Sequence, residues 1–329
     1  MLIDNFKRKI EYLRVSVTDR CDLRCTYCMV EDMEFLSKQE VLSIEELIKL
    51  IEVFNNLGVI KYRLTGGEPL VRKGIVDIIE YLNTLKIKGL IKEHTLTTNG
   101  TNLQRYSEIL KKNGVDRINV SLDTLRASRF KEITRWGDVN KVLNGIQAAL
   151  EAGLKVKINS VVTKDFNDDE LIEIINWAEK KNVDVSLIEV MPIGSIGEER
   201  FDQYKLMSVV EKDLTDKLSL TKSSFRTNGP SRYFARPNSN QKIGFISALS
   251  HNFCETCNRI RLTCTGKLFM CLGQNDFVDL KYPLREQKTE DVVKMIEYAM
   301  TIKPKSHDFE IKKDDFNGYI NRYMNQTGG

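Results

Sequence analysis

Cys21, Cys25 and Cys28 crowd into one short segment, Cys21-Asp22-Leu23-Arg24-Cys25-Thr26-Tyr27-Cys28, with no histidine or fourth cysteine nearby. Three thiolates at this spacing can hold three corners of a cubane iron–sulfur cluster, which leaves the fourth iron open to an external ligand. Structural zinc usually takes four ligands, so the segment is one short for it. A second group, Cys254, Cys257, Cys264 and Cys271, lies far downstream, and no cysteine falls between Cys28 and Cys254. Here spacing leaves two readings open. One is a zinc site completed by Cys264 or His251, and the other is a second cubane with one iron free. In a reducing compartment, tight cysteine groups mark metal sites more often than disulfides.

Cations within strand-like runs leave two readings open, an anionic ligand in a shared cavity or side chains that turn to solvent or pair in salt bridges. Arg14, Arg63 and Lys157 fall within apolar, strand-like runs, where an unpartnered charge is costly. Converging arginines suit phosphate because the planar guanidinium makes paired bonds to its oxygens. Arg259 and Arg261 alternate along another strand-like run and so share a face. The segment Thr65-Gly66-Gly67-Glu68-Pro69 removes side chains at a turn, as a backbone that a ligand approaches would require. His94, His251 and His307 form no acid–base constellation.

The elements that must position these groups alternate. Strands are predicted at Leu13–Thr18, Val59–Thr65, His94–Thr98, Arg117–Leu122, Lys155–Val162 and Asp184–Val190, with helices between them. The clearest helix runs from Ser43 to Leu57, opened by the Ser43/Glu46 capping box and stopped by Gly58; another runs from Asp138 to Gly153. Six such units predict a parallel sheet, open or curled toward a barrel, with ligands at the C-terminal ends of its strands. Beyond Met191-Pro192-Ile193-Gly194 the rhythm changes. A helix is expected over Tyr204–Leu218, a hairpin from Ile260–Thr263 to Leu268–Leu272, and a helix near Thr289–Ile302.

The 329 residues carry a net charge of +4 and 41% hydrophobic residues, an ordinary globular composition. That charge is too mild for a nucleic-acid binder. With no long apolar run and no leader-like start, the expected location is the cytoplasm, away from membranes.

The first cysteine segment, with an aromatic residue before its last cysteine, resembles the radical S-adenosylmethionine superfamily. That resemblance implies an incomplete (β/α)6 TIM-like barrel over residues 1–200, with a smaller C-terminal α+β domain over 201–329. It also implies a 4Fe-4S cluster on Cys21, Cys25 and Cys28 that splits S-adenosylmethionine into a 5′-deoxyadenosyl radical. Tyr27, Gly67, Ser121 and Met191 are the implied cofactor contacts.

Further segments extend the likeness over nearly the whole chain. They are Leu13-Arg14-Val15-Ser16-Val17-Thr18-Asp19-Arg20, Glu189-x-Met191-Pro192-x-Gly194, Asn258-Arg259-Ile260-Arg261-Leu262-Thr263, Thr265-Gly266-Lys267, Asn317-Gly318-Tyr319-Ile320 and Gly328-Gly329. Together they are similar to the GTP 3′,8-cyclases of molybdenum cofactor biosynthesis. This implies a second 4Fe-4S cluster on Cys254, Cys257 and Cys271, with guanine on its open iron and Cys264 a buried thiol. Arg14, Arg63, Thr97, Lys157, Arg259, Ile260 and Arg261 would contact GTP, and Gly328 and Gly329 would reach into the active site as part of the catalytic machinery. The implied reaction removes the 3′ hydrogen of GTP, after which C3′ attacks C8. A one-electron donor and the next enzyme of the pathway, cyclic pyranopterin monophosphate synthase, are the implied partners, and a homodimer is compatible with the likeness.

Overall fold

The structure is a computed structural model and describes residues 1–194, 202–227, 229–250, 253–307, 320 and 322–328. His251, Asn317-Gly318-Tyr319 and Gly329 lie outside the described residues.

Six parallel strands follow the predicted rhythm: β1 (Tyr12–Ser16), β2 (Lys61–Thr65), β3 (Glu93–Thr98), β4 (Arg117–Ser121), β5 (Val156–Val162) and β6 (Asp184–Glu189). The helices between them are α1 (Ile44–Asn56), α2 (Ile75–Ile87), α3 (Leu103–Lys112), α4 (Ala127–Thr134), α5 (Val139–Glu151) and α6 (Leu171–Lys180). The α1 capping box forms as expected, with Ser43 N donating to Glu46 Oε2 at 2.7 Å and Glu46 N to Ser43 Oγ at 3.1 Å. Such a cap contributes about 1 kcal/mol.

Next comes α7 (Met207–Leu218), three residues shorter at its start than the Tyr204–Leu218 pattern suggests. The buried Glu189 carboxylate explains the difference, since it accepts from the Tyr204 hydroxyl at 2.8 Å and draws the preceding chain to the end of β6.

Six later strands extend this sheet at both ends. They are β7 (Thr221–Lys222), β8 (Arg232–Ala235), β9 (Lys242–Ile246), β10 (Arg259–Leu262), β11 (Lys267–Phe269) and β12 (Phe277–Asp279). The order is β12-β11-β10-β1-β2-β3-β4-β5-β6-β9-β8-β7, an open twelve-stranded sheet. The expected hairpin is β10–β11, and β10 runs parallel to β1, with Arg14 opposite Arg261. Helices α8 (Lys281–Arg285), α9 (Thr289–Thr301) and α10 (Met324–Thr327) complete the described residues.

Strand β1 is buried along its whole length. Leu13 and Val15 pack into the helix-facing core with Leu47, Ile51, Phe54 and Tyr62, while Arg14 faces the other way. A period-2 strand with apolar residues on one face and cations on the other defines an inner, polar side. No helix is long and apolar enough to cross a membrane among the described residues.

Candidate active site

The inner side holds a cavity. Its walls come from β1, β2, β4, β5, β6, β8, β9 and β10 and from the loop after β11, so the sheet curls around it. Six cationic side chains line it (Arg14, Arg63, Arg117, Lys157, Arg259 and Arg261), and its described lining contains no carboxylate. Three of them form a rung. Arg261, Arg14 and Arg63 are in-register neighbours on β10, β1 and β2, and adjacent strands lie only about 4.8 Å apart. Burial above all, with Arg63 and Arg259 adding, pushes Arg14 down to about 10. Burial likewise lowers Arg63, Lys157 and Arg261. The Arg14 Nε is buried with no hydrogen-bond partner. Arg117 meets Glu93 at 3.7 Å, and a polyanion in the cavity would offset the remaining cost of burying these charges.

Cys254, Cys257 and Cys271 face this same cavity, from the turn before β10 and the loop after β11. Burial would raise Cys257, but Arg259 and Lys303 outweigh it and bring the thiol down to about 6. Cys264 sits elsewhere, in the β10–β11 turn beside Asp19 and Arg72, where burial first and then Asp19 push it up to about 12. It is a buried thiol, as expected, 1% exposed.

Cys21, Cys25 and Cys28 occupy the loop after β1. Burial, then Glu68, raises Cys21; burial, then Cys28 and Asp123, raises Cys25. The Cys21 sulfur accepts from Leu23 N at 3.4 Å and Asn99 Nδ2 at 3.7 Å. Donors aimed at sulfur suit a metal-bound thiolate. The loop is tied to the end of α4: Thr26 N donates to Ile133 O at 2.9 Å, Trp136 Nε1 to Asp22 O at 2.8 Å, and Arg135 Nη1 to Arg24 O at 2.7 Å. Among the described residues no three His, Cys, Asp or Glu side chains converge tightly enough to ligate a single metal ion. Each cysteine set offers three thiolates, the donor set a cubane with one open iron takes, whereas structural zinc usually takes four ligands.

The paired glycines seat this loop. A Cβ on Gly67 would lie 2.3 Å from Arg20 O, and Gly67 N and Glu68 N each donate at 2.8 Å, to Thr18 O and Arg20 O. The approaching backbone is thus the chain's own. Glu68 is fully buried and accepts from Leu70 N at 2.9 Å, Thr98 Oγ1 at 2.8 Å and Asn99 N at 2.6 Å. Replacing it with glutamine turns one acceptor into a donor facing a donor. Glu68→Gln is expected to destabilise the fold by about 1–3 kcal/mol, read as a lower denaturant midpoint at unchanged slope.

Arg14, Arg63, Lys157, Met191, Arg259 and Arg261 share the cavity, together with the second cysteine set. Thr97 and Ser121 stand on β3 and β4 outside its lining, and the Thr97 hydroxyl has no hydrogen-bond partner. The Ile260 side chain is in the hydrophobic core, which leaves only its backbone for a ligand. Tyr27 donates to Asp123 Oδ2 at 2.8 Å beside the first cysteine set. The buried α10 packs against β1, where Asn325 Nδ2 donates to Asp19 O at 2.9 Å and Arg261 Nη1 to Gly328 O at 2.5 Å.

Sequence reasoning missed Arg117, Asn119, Asn159, Ser231 and Tyr233, all lining the cavity. Arg117 carried the same signal as Arg63, a cation within a strand. Tyr233 had none, since it comes from β8 yet accepts from Lys157 Nζ at 2.7 Å.

Residues 15–178 match the Radical SAM superfamily model, and residues 183–309 match the Molybdenum Cofactor Synthesis C model. The GTP 3′,8-cyclase of Brucella ovis is 52% identical over 329 residues, covering 100% of this chain and 96% of the relative. The chain belongs to the GTP 3′,8-cyclase family. The cyclase of Mesorhizobium japonicum is 51% identical, with 100% of this chain and 99% of the relative covered. Among solved structures, Streptococcus suis SuiB bound to S-adenosylmethionine superposes with a TM-score of 0.64 at 16% identity, covering 88% of this chain and 68% of SuiB. That likeness is one of fold.

Proposed function

We propose that this enzyme converts GTP to (8S)-3′,8-cyclo-7,8-dihydroguanosine 5′-triphosphate, the first step of molybdenum cofactor biosynthesis. The observation that carries the reading is a cavity lined by six cations and no described carboxylate, shared with Cys254, Cys257 and Cys271. A triphosphate supplies the missing negative charge, and an open iron held by those cysteines offers a site for the base. Cys21, Cys25 and Cys28 would hold the other 4Fe-4S cluster, with Tyr27, Gly67, Ser121 and Met191 around S-adenosylmethionine. When bound, that pair supplies a one-electron cleavage and a 5′-deoxyadenosyl radical.

The chain's own residues then bind and orient. Arg261, Arg14 and Arg63 present a flat row of donors to the phosphates, with Lys157, Arg259 and Arg117 around them, while Thr97 and the Ile260 backbone are the further GTP contacts carried by the family likeness. Arg261 holds the Gly328 carbonyl, and the family likeness gives Gly328 and Gly329 their part in catalysis. In this reading residues 1–200 form the partial barrel with the first cluster, and 201–329 carry the second cluster and the Gly-Gly tail. A cytoplasmic setting, an outside one-electron donor, hand-off to cyclic pyranopterin monophosphate synthase and a homodimer belong to the same reading.

The deciding assay supplies anaerobically reconstituted enzyme with GTP deuterated at C3′. Deuterium is expected in the 5′-deoxyadenosine formed; its absence from fully reduced, active enzyme ends the reading. Arg117→Ala should raise KM for GTP at least about tenfold with a smaller change in kcat, because it removes one charge-assisted contact worth about 1.5–3 kcal/mol.

A further inference from the structure

Each segment bearing the second cysteine set has a buried cation on its backbone. Arg8 Nη1 donates to Cys254 O at 2.7 Å, and Arg322 Nη2 to Cys271 O at 3.4 Å. Lys303, just beyond α9, is 3% exposed, and its Nζ donates to Met270 O at 2.6 Å and Arg259 O at 3.0 Å. Those carbonyls belong to the residue before Cys271 and the second residue after Cys257, so the ammonium sits between two of the three thiols.

The three cations are not equivalent. Arg8 is balanced by Asp4, its Nε lying 2.5 Å from the carboxylate. Arg322 lies over the Phe269 ring and turns its Nη1 to Gln274 O at 2.6 Å. Lys303 donates only to carbonyl oxygens in the described structure. Burial works against its charge, and the groups that favour it are Cys257 and Cys271, ahead of Asp4. A buried ammonium without its own carboxylate is expensive unless a counter-charge arrives. Three thiolates on a 4Fe-4S core carry net negative charge, and reduction adds one more. A fixed positive charge close by, in a low-dielectric setting, favours the reduced state over the oxidised one.

We propose that Lys303 is the fixed counter-charge of the second cluster and a positioning residue that holds its reduction potential up. The proposal rests on the cluster assignment above. It goes beyond ligation, because Lys303 touches neither iron nor substrate and acts through charge and through the backbone on both sides of the site.

The test is a redox titration of the anaerobic holoenzyme followed by electron paramagnetic resonance. The signal perturbed by GTP reports the second cluster, and the one perturbed by S-adenosylmethionine reports the first. Lys303→Met should lower the reduction equilibrium constant of the second cluster at least tenfold, which is about 59 mV for one electron, and leave the first in place. Lys303→Arg should stay within threefold of wild type. A shift below threefold in Lys303→Met, or an equal shift at both clusters, overturns the proposal. If Lys303→Met loses its second cluster, Lys303→Gln keeps a donor for the Met270 carbonyl without the charge. Loss of iron from Met and Gln variants but not from Arg supports the charge role; loss from all three refutes it. A wild-type enzyme that never carries a second cluster would instead sink the functional reading itself.

Discussion

Gly328→Ala is expected to abolish most turnover while leaving iron content at the wild-type level. A Cβ at this position would fall 2.3 Å from Thr65 Cγ2 and 2.5 Å from Thr65 Oγ1, on a residue whose φ is +69°. Thr65 cannot give way, since it ends β2 just before the glycine pair that seats the first cysteine loop. The tail must therefore lift, and Arg261 loses the Gly328 carbonyl that it now holds. Displacing a positioning element by about 1 Å can cost about a hundredfold in rate, so kcat should fall at least that far. Thr65→Ala removes the two nearest clashing atoms and keeps only the Cβ, at 2.9 Å. The double variant should recover part of the lost rate. Wild-type turnover by Gly328→Ala alone would show that the tail has no part in the chemistry.

Gly67→Ala should act earlier, on the metal itself. Its nearest obstacles are all backbone: Arg20 O at 2.3 Å, Arg20 C at 2.6 Å and Asp19 O at 2.7 Å. Nothing there can rotate aside, so the loop entering Cys21 must move. The Gly67 N and Glu68 N bonds that fix it are then broken. The expected protein holds about half the iron, roughly four atoms per chain instead of about eight, and releases no 5′-deoxyadenosine. Iron analysis after anaerobic reconstitution reads this directly, and full iron content would contradict it.

Local pattern carried the first two-thirds of the fold. Period-2 apolar runs and the Ser43/Glu46 box are short-range signals, and each appears where its residues placed it within a few positions. The cysteine sets were legible for the same reason, as spacing within a turn or a hairpin. What stayed hidden depends on pairing across long separations. Nothing near Arg259 says that its strand runs beside β1, so the arginine rung could not be read, although each arginine could. Tyr233 and Arg8 are similar cases, because their partners lie on Lys157 and Cys254, far away in sequence. The glycine pair was read as making room for a ligand, and the approach it permits is first to Asp19 and Arg20. Alternation along β10 also sends the Ile260 side chain into the core, away from the arginines on either side.

The strand order has a consequence for biosynthesis. Tyr12 pairs with Arg259, and Val185 on β6 pairs with Ile243. As a ribosome delivers the nascent chain, both borders of the six-stranded unit stay bare until nearly three-quarters of the protein has emerged. Bare borders recruit foreign strands, and pairings this remote in sequence form slowly. Translation pausing near the β9–β10 segment, or delayed delivery of iron, should therefore shift the yield toward aggregates before either shifts the activity of the molecules that mature.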